Sequence, residues 1–341
     1  MSVLHLLGSS RDGGAETYFV SLVGALARSG LSQSAAIRAH AGRERALSTI
    51  GVPTRVLPFA ALDLRTGPAI RRLTREQGAR VQLQWMNRAG RVAPGRGPWT
   101  RIGRLGGYYD LKYYRGCDLL VGNTQGIVDY VVREGWPAAR ALYIPNFAAP
   151  GPELAQSRLV LGTPEHAPLL LAMGRLHPAK AHDVSLRALV DLPEAWLWVA
   201  GSGPLEGELE RLARELGVSD RVRFLGWRED ASALYRAADV CVFPSRYEPL
   251  GNTVIQAWAH DVPVVAAASA GPASLITDGE DGLLTPIDDA GELAAAVRRV
   301  LAEPELAPRL AEAGRARVAT AFSEAAVVAQ WRELFARYGE G

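Results

Sequence analysis

Short apolar runs that end in glycine, serine or a polar turn, each followed by a stretch with helical spacing, recur twice along this chain and leave it few folds to choose from. The first series begins with VLHLLG, passes through the turn SSRDGGAE into TYFVSLVGALARSG, and continues with apolar runs at Ser34 to Ala39, Thr54 to Leu57, Val81 to Trp85 and Leu119 to Gly122. The second runs through LLLAMG, AWLWVAGSG, VRFLG, DVCVFPS and PVVAAA. Strands that are apolar without alternation are buried on both faces, as in parallel sheets covered by helices. A proline-rich extended segment from Tyr143 to Pro150 has the composition of an interdomain linker. The expectation is an α/β chain with two doubly wound Rossmann-like domains, residues 1–148 and 149–322, facing across a cleft. The stretch 323–341 spaces Val327, Val328, Trp331, Leu334 and Phe335 as one helical face, so it is expected to dock back on the first domain.

With 341 residues and 48% of them apolar, the chain has material for two cores. No run reaches the roughly 18 apolar residues of a membrane span, and the N-terminus lacks the basic start and cleavage site of a signal peptide. A cytoplasmic location is expected. Cys117 and Cys241 lack metal or disulfide spacing and read as buried small residues. The net charge of +2 hides an asymmetry: residues 1–150 hold 20 Lys and Arg against 9 Asp and Glu, and the remainder 18 against 27. The basic half is expected to meet something anionic: a membrane surface, a phosphorylated glycolipid or nucleic acid. No recognised nucleic-acid module is present. Only Lys112 and Lys180 are lysines, and a lysine kept amid such arginine usage points to a site that needs a compact ammonium.

Ligands of doubly wound sheets gather outside the carboxyl ends of strands, so the chemistry is sought there. LLLAMG leads into Arg175 and, through Leu176-His177-Pro178-Ala179, to Lys180 just ahead of a helix expected near Asp183. Two cations beside a helix start suit a diphosphate. After AWLWVAG, Gly201 and Gly203 either let a ligand approach the backbone or serve tight-turn packing; the glycine order does not make a dinucleotide fingerprint. The richest stretch runs from Val240 to Gly271, where Glu248 sits on a loop, Leu250-Gly251-Asn252-Thr253 open an amphipathic helix, and Gln256 lies two turns inside it. A carboxylate there suits sugar hydroxyls, since it would repel phosphate.

The combination of GGAE, GRLHPAK, VAGSGP, VRFLGW, PSRYEPLGN with its E-x7-Q spacing and DGLLTPIDDA resembles family 4 glycosyltransferases of the two-domain GT-B architecture, and RLGGYYDLKYYRGCDLLVGNT resembles their bacterial lipopolysaccharide-type members. The resemblance implies transfer of a sugar from a nucleotide diphosphate donor, UDP- or GDP-linked, with retention of configuration and no metal or other cofactor. It places Arg175 and Lys180 at the donor phosphates, Glu248 at the donor sugar, the Leu250 to Thr253 amides at diphosphate and sugar, and Gly14 of the N-terminal turn near the phosphates across the cleft. Two departures stand out. The second glutamate of the motif is Gln256, which keeps hydrogen bonding to a ribose but loses charge. The histidine that many members carry in the first domain falls on Gly106, and neither His177 nor any other histidine replaces it.

Trp227 and Arg228 are candidates beside the nucleotide base. In the first half Glu16, Trp85, Asn87, Arg88, Tyr108, Tyr109 and Lys112 mix aromatic faces and cations in a way that suits a glycolipid head group such as lipopolysaccharide core, with peripheral contact to an anionic membrane. Half-buried packing is the other reading of the tyrosines. Two rival functions share these features. One is a sugar-nucleotide-binding pseudoenzyme, favoured by Gln256 and Gly106. The other is a nicotinamide oxidoreductase, disfavoured because GSSRDGG lacks the GxGxxG order.

Overall fold

The computed structural model describes residues 2–11, 13–60, 63–94, 97–148, 150–151 and 154–339. Within the segments read from sequence as linker and terminal helix, Ala149, Glu340 and Gly341 lie outside the described residues. The chain forms two compact units, residues 1–146 with 324–341, and residues 147–323. The division falls at Asn146/Phe147, two residues ahead of the expected boundary.

The first unit holds strands β1 (Ser2–Leu7), β2 (Ser32–Ile37), β3 (Thr54–Val56), β4 (Ala79–Trp85), β5 (Thr100–Leu105), β6 (Leu119–Gly122) and β7 (Ala141–Tyr143). They make one parallel sheet in the order β3-β2-β1-β4-β5-β6-β7. The second unit holds β8 (Leu169–Met173), β9 (Trp196–Ala200), β10 (Val222–Gly226), β11 (Val240–Phe243), β12 (Val264–Ala267) and β13 (Leu283–Thr285), parallel in the order β10-β9-β8-β11-β12-β13. Both orders are doubly wound, reversing direction beside β1 and beside β8. Strand order reverses at a crevice, and such crevices are where ligands of this fold bind.

Burial on both faces explains the continuous apolar runs. In the second unit Leu170, Ala172, Leu197, Val199, Val240 and Val242 face one core with Leu186 and Val297. Their neighbours Leu169, Leu171, Trp198, Cys241 and Phe243 face the other, with Val254 and Trp258. Cys117 and Cys241 are buried free thiols, and burial pushes each up to about 12. The terminal helix Glu324–Gly339 belongs to the first unit and buries Val327, Val328, Trp331, Leu334 and Phe335, the face that the spacing marks. At about 2 kcal/mol per side chain that burial amounts to ~10 kcal/mol, before the entropy of ordering the helix is subtracted. Arg28 grips Glu324 at the start of this helix (2.7 Å), and the Thr100 hydroxyl donates to Tyr338 O near its end (2.8 Å). No helix among the described residues is long and apolar enough to cross a membrane.

Candidate active site

In the second unit the loops after β8 and β11 meet at the reversal of strand order. The first passes Gly174 and Arg175, forms a single 3-10 turn at Pro178–Lys180, and enters the helix His182–Ala188 through Ala181 in the left-handed region (φ 53°). The second enters the helix Asn252–Ala259 through left-handed Gly251 (φ 86°). Lys180 Nζ donates to Glu248 Oε2, and Glu248 Oε1 accepts from the amides of Leu250 (3.3 Å) and Gly251 (3.2 Å). Cation, carboxylate and loop amides therefore form one connected group, with side-chain exposures of 24% for Lys180 and 13% for Glu248. Lys180 Nζ also lies 5.2 Å from the centre of the Phe243 ring. Partial desolvation strengthens each of these interactions relative to water.

Arg246 fixes this geometry; it stands in the PSRYEPLGN stretch, but sequence reasoning assigns it no role. It donates twice to Asp183 (2.9 and 2.6 Å), once to Pro178 O (3.0 Å), and pairs with Asp288. Burial alone would raise the Asp183 carboxyl; the Arg246 hydrogen bonds and charge outweigh it and hold Asp183 below its ordinary range. The Asp183 bonds raise Arg246 in turn. Tyr247 N donates to Ala179 O (3.2 Å), and Gly271 N to Glu248 O (2.7 Å), so backbone bonds hold both loops as well.

Other sequence candidates are distributed unevenly. Arg175 is exposed, and its side chain has no partner among the described residues. Gly201 and Gly203 serve packing: a β-carbon on Gly201 (φ 147°) would lie 2.0 Å from Gly174 O, and one on Gly203 2.3 Å from Leu176 O. These glycines let the loop after β9 press on the loop that carries Arg175, as the packing reading of the two glycines has it. The Thr253 side chain is hydrogen-bonded to buried Tyr235. Asn252 begins the same helix, and Gln256 is half-buried in its second turn, its side-chain amide without a partner among the described residues. Trp227 is 58% exposed. Arg228 is committed to Asp230 (2.7 Å) in its own loop and to Gln156 (3.1 Å) on the segment ahead of β8, so its guanidinium joins those two segments.

In the first unit Gly14 is exposed at the start of the helix Gly14–Arg28, and buried Glu16 accepts from Ser9 Oγ (2.6 Å), bracing the glycine-rich turn from inside. Trp85 is 1% exposed and packs edge-on to Phe19, which removes its ring as a stacking face and corrects that expectation. Asn87 accepts from the Tyr114 hydroxyl (3.0 Å). Tyr108 packs edge-on to Tyr130, and Tyr109 lies parallel to Tyr114, which is the packing reading of the tyrosines. Lys112 pairs with Asp110 on the surface (2.5 Å), and Arg88 is exposed. Sequence reasoning also missed Arg104, the buried cation near the end of β5, whose guanidinium lies over the rings of Tyr18 (4.8 Å) and Trp85 (4.6 Å). Among the described residues no group of three or more His, Cys, Asp or Glu side chains could hold a metal ion.

Two doubly wound parallel units, one with a cation–carboxylate pair at its reversal point, are the arrangement of GT-B glycosyltransferases. The solved structure of Anabaena HepE in complex with UDP and glucose matches with a TM-score of 0.85 at 20% identity, covering 99% of this chain and 100% of that one. WaaG, a glycosyltransferase involved in lipopolysaccharide biosynthesis, matches with a TM-score of 0.71 at 18% identity, covering 98% and 99%. These likenesses concern the fold. By sequence, the lipopolysaccharide core biosynthesis glycosyltransferase LpsE of Rhizobium meliloti (strain 1021) is 37% identical over 330 residues, 96% of each chain. LpsD of the same organism is 36% identical over 344 residues, 99% of this chain and 98% of that one. The pattern describing glycosyl transferases group 1 matches residues 155–317. The chain belongs to this glycosyltransferase family.

Proposed function

We propose that the protein is a retaining glycosyltransferase that moves a hexose from a UDP- or GDP-linked donor to a hydroxyl of lipopolysaccharide core or another anionic glycolipid or glycan. The observation that carries this reading is the Lys180–Glu248 pair joined to the Leu250 and Gly251 amides at the reversal point of the second sheet. The names of LpsE and LpsD support the acceptor class. The bound UDP and glucose in the HepE structure support the donor class.

On this reading Arg175 and Lys180 take up the charge that grows on the leaving diphosphate, a role that a divalent ion fills in other transferases. Glu248 turns from its own loop amides to the donor-sugar hydroxyls, freeing those amides for the diphosphate. The bond from the anomeric carbon to the phosphate oxygen breaks and the bond to the acceptor oxygen forms on the same face. The acceptor proton leaves with the departing phosphate oxygen, so no protein nucleophile is needed. Asn252, Thr253 and Gln256 line the donor side, with Trp227 near the base. The basic first half, with Arg88 and Lys112, faces the acceptor and an anionic membrane surface at the inner face of the cell membrane.

Incubating the protein with labelled UDP- and GDP-sugars, extracted lipopolysaccharide core and EDTA tests the reading. Transfer with an unchanged anomeric configuration by NMR is the expected result. Binding of a donor with no product under any pairing would instead favour a pseudoenzyme, which Gln256 and the bare Gly106 would explain.

A further inference from the structure

Arg104 is 3% exposed, and no carboxylate pairs with it among the described residues. Among the described residues its hydrogen bond runs from Nη2 to the side-chain oxygen of Asn146, and its Nε is buried without a partner. Burial pulls its pKa down, with only tyrosines acting against that. Arg43, equally buried, donates instead to Ser9 O (2.8 Å) and Arg11 O (2.9 Å). A buried guanidinium without a counter-charge is costly, and an anion placed beside it would offset that cost.

The space such an anion would fill lies over Gly106, at the carboxyl end of β5. A β-carbon there would lie 3.5 Å from Arg104 Nη1, 3.6 Å from Asn123 Nδ2 and 3.9 Å from the Tyr109 hydroxyl. Asn123 follows β6 directly, is itself buried, and has a second polar atom, Oδ1, without a partner. Gly106 remains partly open to solvent. We propose that Arg104, Asn123 and Tyr109 form an anion subsite over Gly106 that takes a phosphate group of the acceptor. Three hydrogen-bond donors within 4 Å of one point suit an oxyanion, and the guanidinium lies against the rings of Tyr18 (4.8 Å) and Trp85 (4.6 Å). The absent side chain at Gly106 then acquires a purpose, because any side chain there would occupy the anion's place. This assignment rests on the reading of the first unit as the acceptor-binding half.

Gly106→Ala is the sharpest test, since its methyl group makes only ordinary contacts and fills the subsite without touching the fold. Thermal unfolding of the full chain is followed with inorganic phosphate at constant ionic strength, and separately with UDP and with GDP. Phosphate at about ten times its Kd is expected to raise Tm by about 3 °C in wild type and in Lys180→Ala. Gly106→Ala, and Arg104→Gln where it folds, are expected to lose that response while keeping the nucleotide response. A full phosphate response in Gly106→Ala, or none in wild type, overturns the subsite. Loss of phosphate and nucleotide responses together in Gly106→Ala assigns the anion to the donor and overturns the acceptor assignment. A Gly106-dependent phosphate response without any nucleotide response sustains the subsite while the donor reading fails.

Discussion

Removing Arg246 should loosen the loop that carries Lys180, and the size of the effect follows from its contacts. Arg246→Ala deletes two charge-assisted bonds to Asp183, one bond to Pro178 O and the pair with Asp288. The Arg246 and Asp183 side chains are about a third exposed. Breaking a fully buried pair costs about 3–5 kcal/mol and an exposed one at most about 1, so roughly 2 kcal/mol is expected here. For a unit of this size that lowers Tm by about 4–8 °C. The pH dependence follows from Asp183, whose carboxyl is held below its ordinary value in the folded chain. Its contribution is complete above the unfolded value of about 3.9 and is lost as pH falls through the folded value. Circular-dichroism melts of wild type, Arg246→Ala, Asp183→Asn and the double variant, taken from neutral to acid pH, read the stability and the coupling together. The expected coupling is about 1–2 kcal/mol at neutral pH, shrinking in acid, with kcat lowered about tenfold in Arg246→Ala. Additive single effects, or a Tm gap that ignores pH, would refute the clamp.

Three further outcomes follow from the same structure. Gly201→Ala, whose β-carbon would lie 2.0 Å from Gly174 O, should lose more than about 3 kcal/mol; Gly207→Ala, on the open face of the helix Glu206–Glu215, should melt at or above wild type, and equal melts would sink the packing argument. Burial lowers His5 and His182 to about 4, so the unfolded chain takes up protons below about 6.5 that the folded chain refuses. Stability should therefore fall by up to roughly 3 kcal/mol per histidine between those pH values, and His5→Asn should flatten that part of the pH–stability profile. Glu248→Gln should lower kcat roughly 100-fold with little change in Tm; unchanged turnover would remove Glu248 from the reaction.

The strands that a reader of the sequence finds are those whose apolar character is undiluted. LLLAM, WLWVA and VCVF are buried on both faces and announce themselves. β5 escapes because TRIGRL carries Arg101 and Arg104, both buried, and composition cannot tell a buried arginine from a surface one. β7, three residues long, is not set off by a turn residue directly ahead of it, whereas the equally short β3 is framed by Pro53 and Pro58. In the site, Lys180 and Glu248 are visible because both close strand-end loops, though their pairing across 68 residues is not. Arg246 and Asp183 stand 63 residues apart and meet only because β8 and β11 are neighbours in the sheet. Trp85 shows the opposite failure. An aromatic at a strand end reads equally well as a stacking platform or as core, and only the packing of Phe19 and Arg104 around it decides for core.

Calorimetric titration of UDP and GDP into wild type, Arg175→Ala and Lys180→Ala, all in EDTA, bears most directly on the donor site. One of the two diphosphates should bind wild type with no divalent ion present, and each substitution should weaken it by at least about 30-fold, equivalent to ~2 kcal/mol. Equal affinity for the three proteins, or binding to wild type only after magnesium is added, would contradict a donor site built on these two cations.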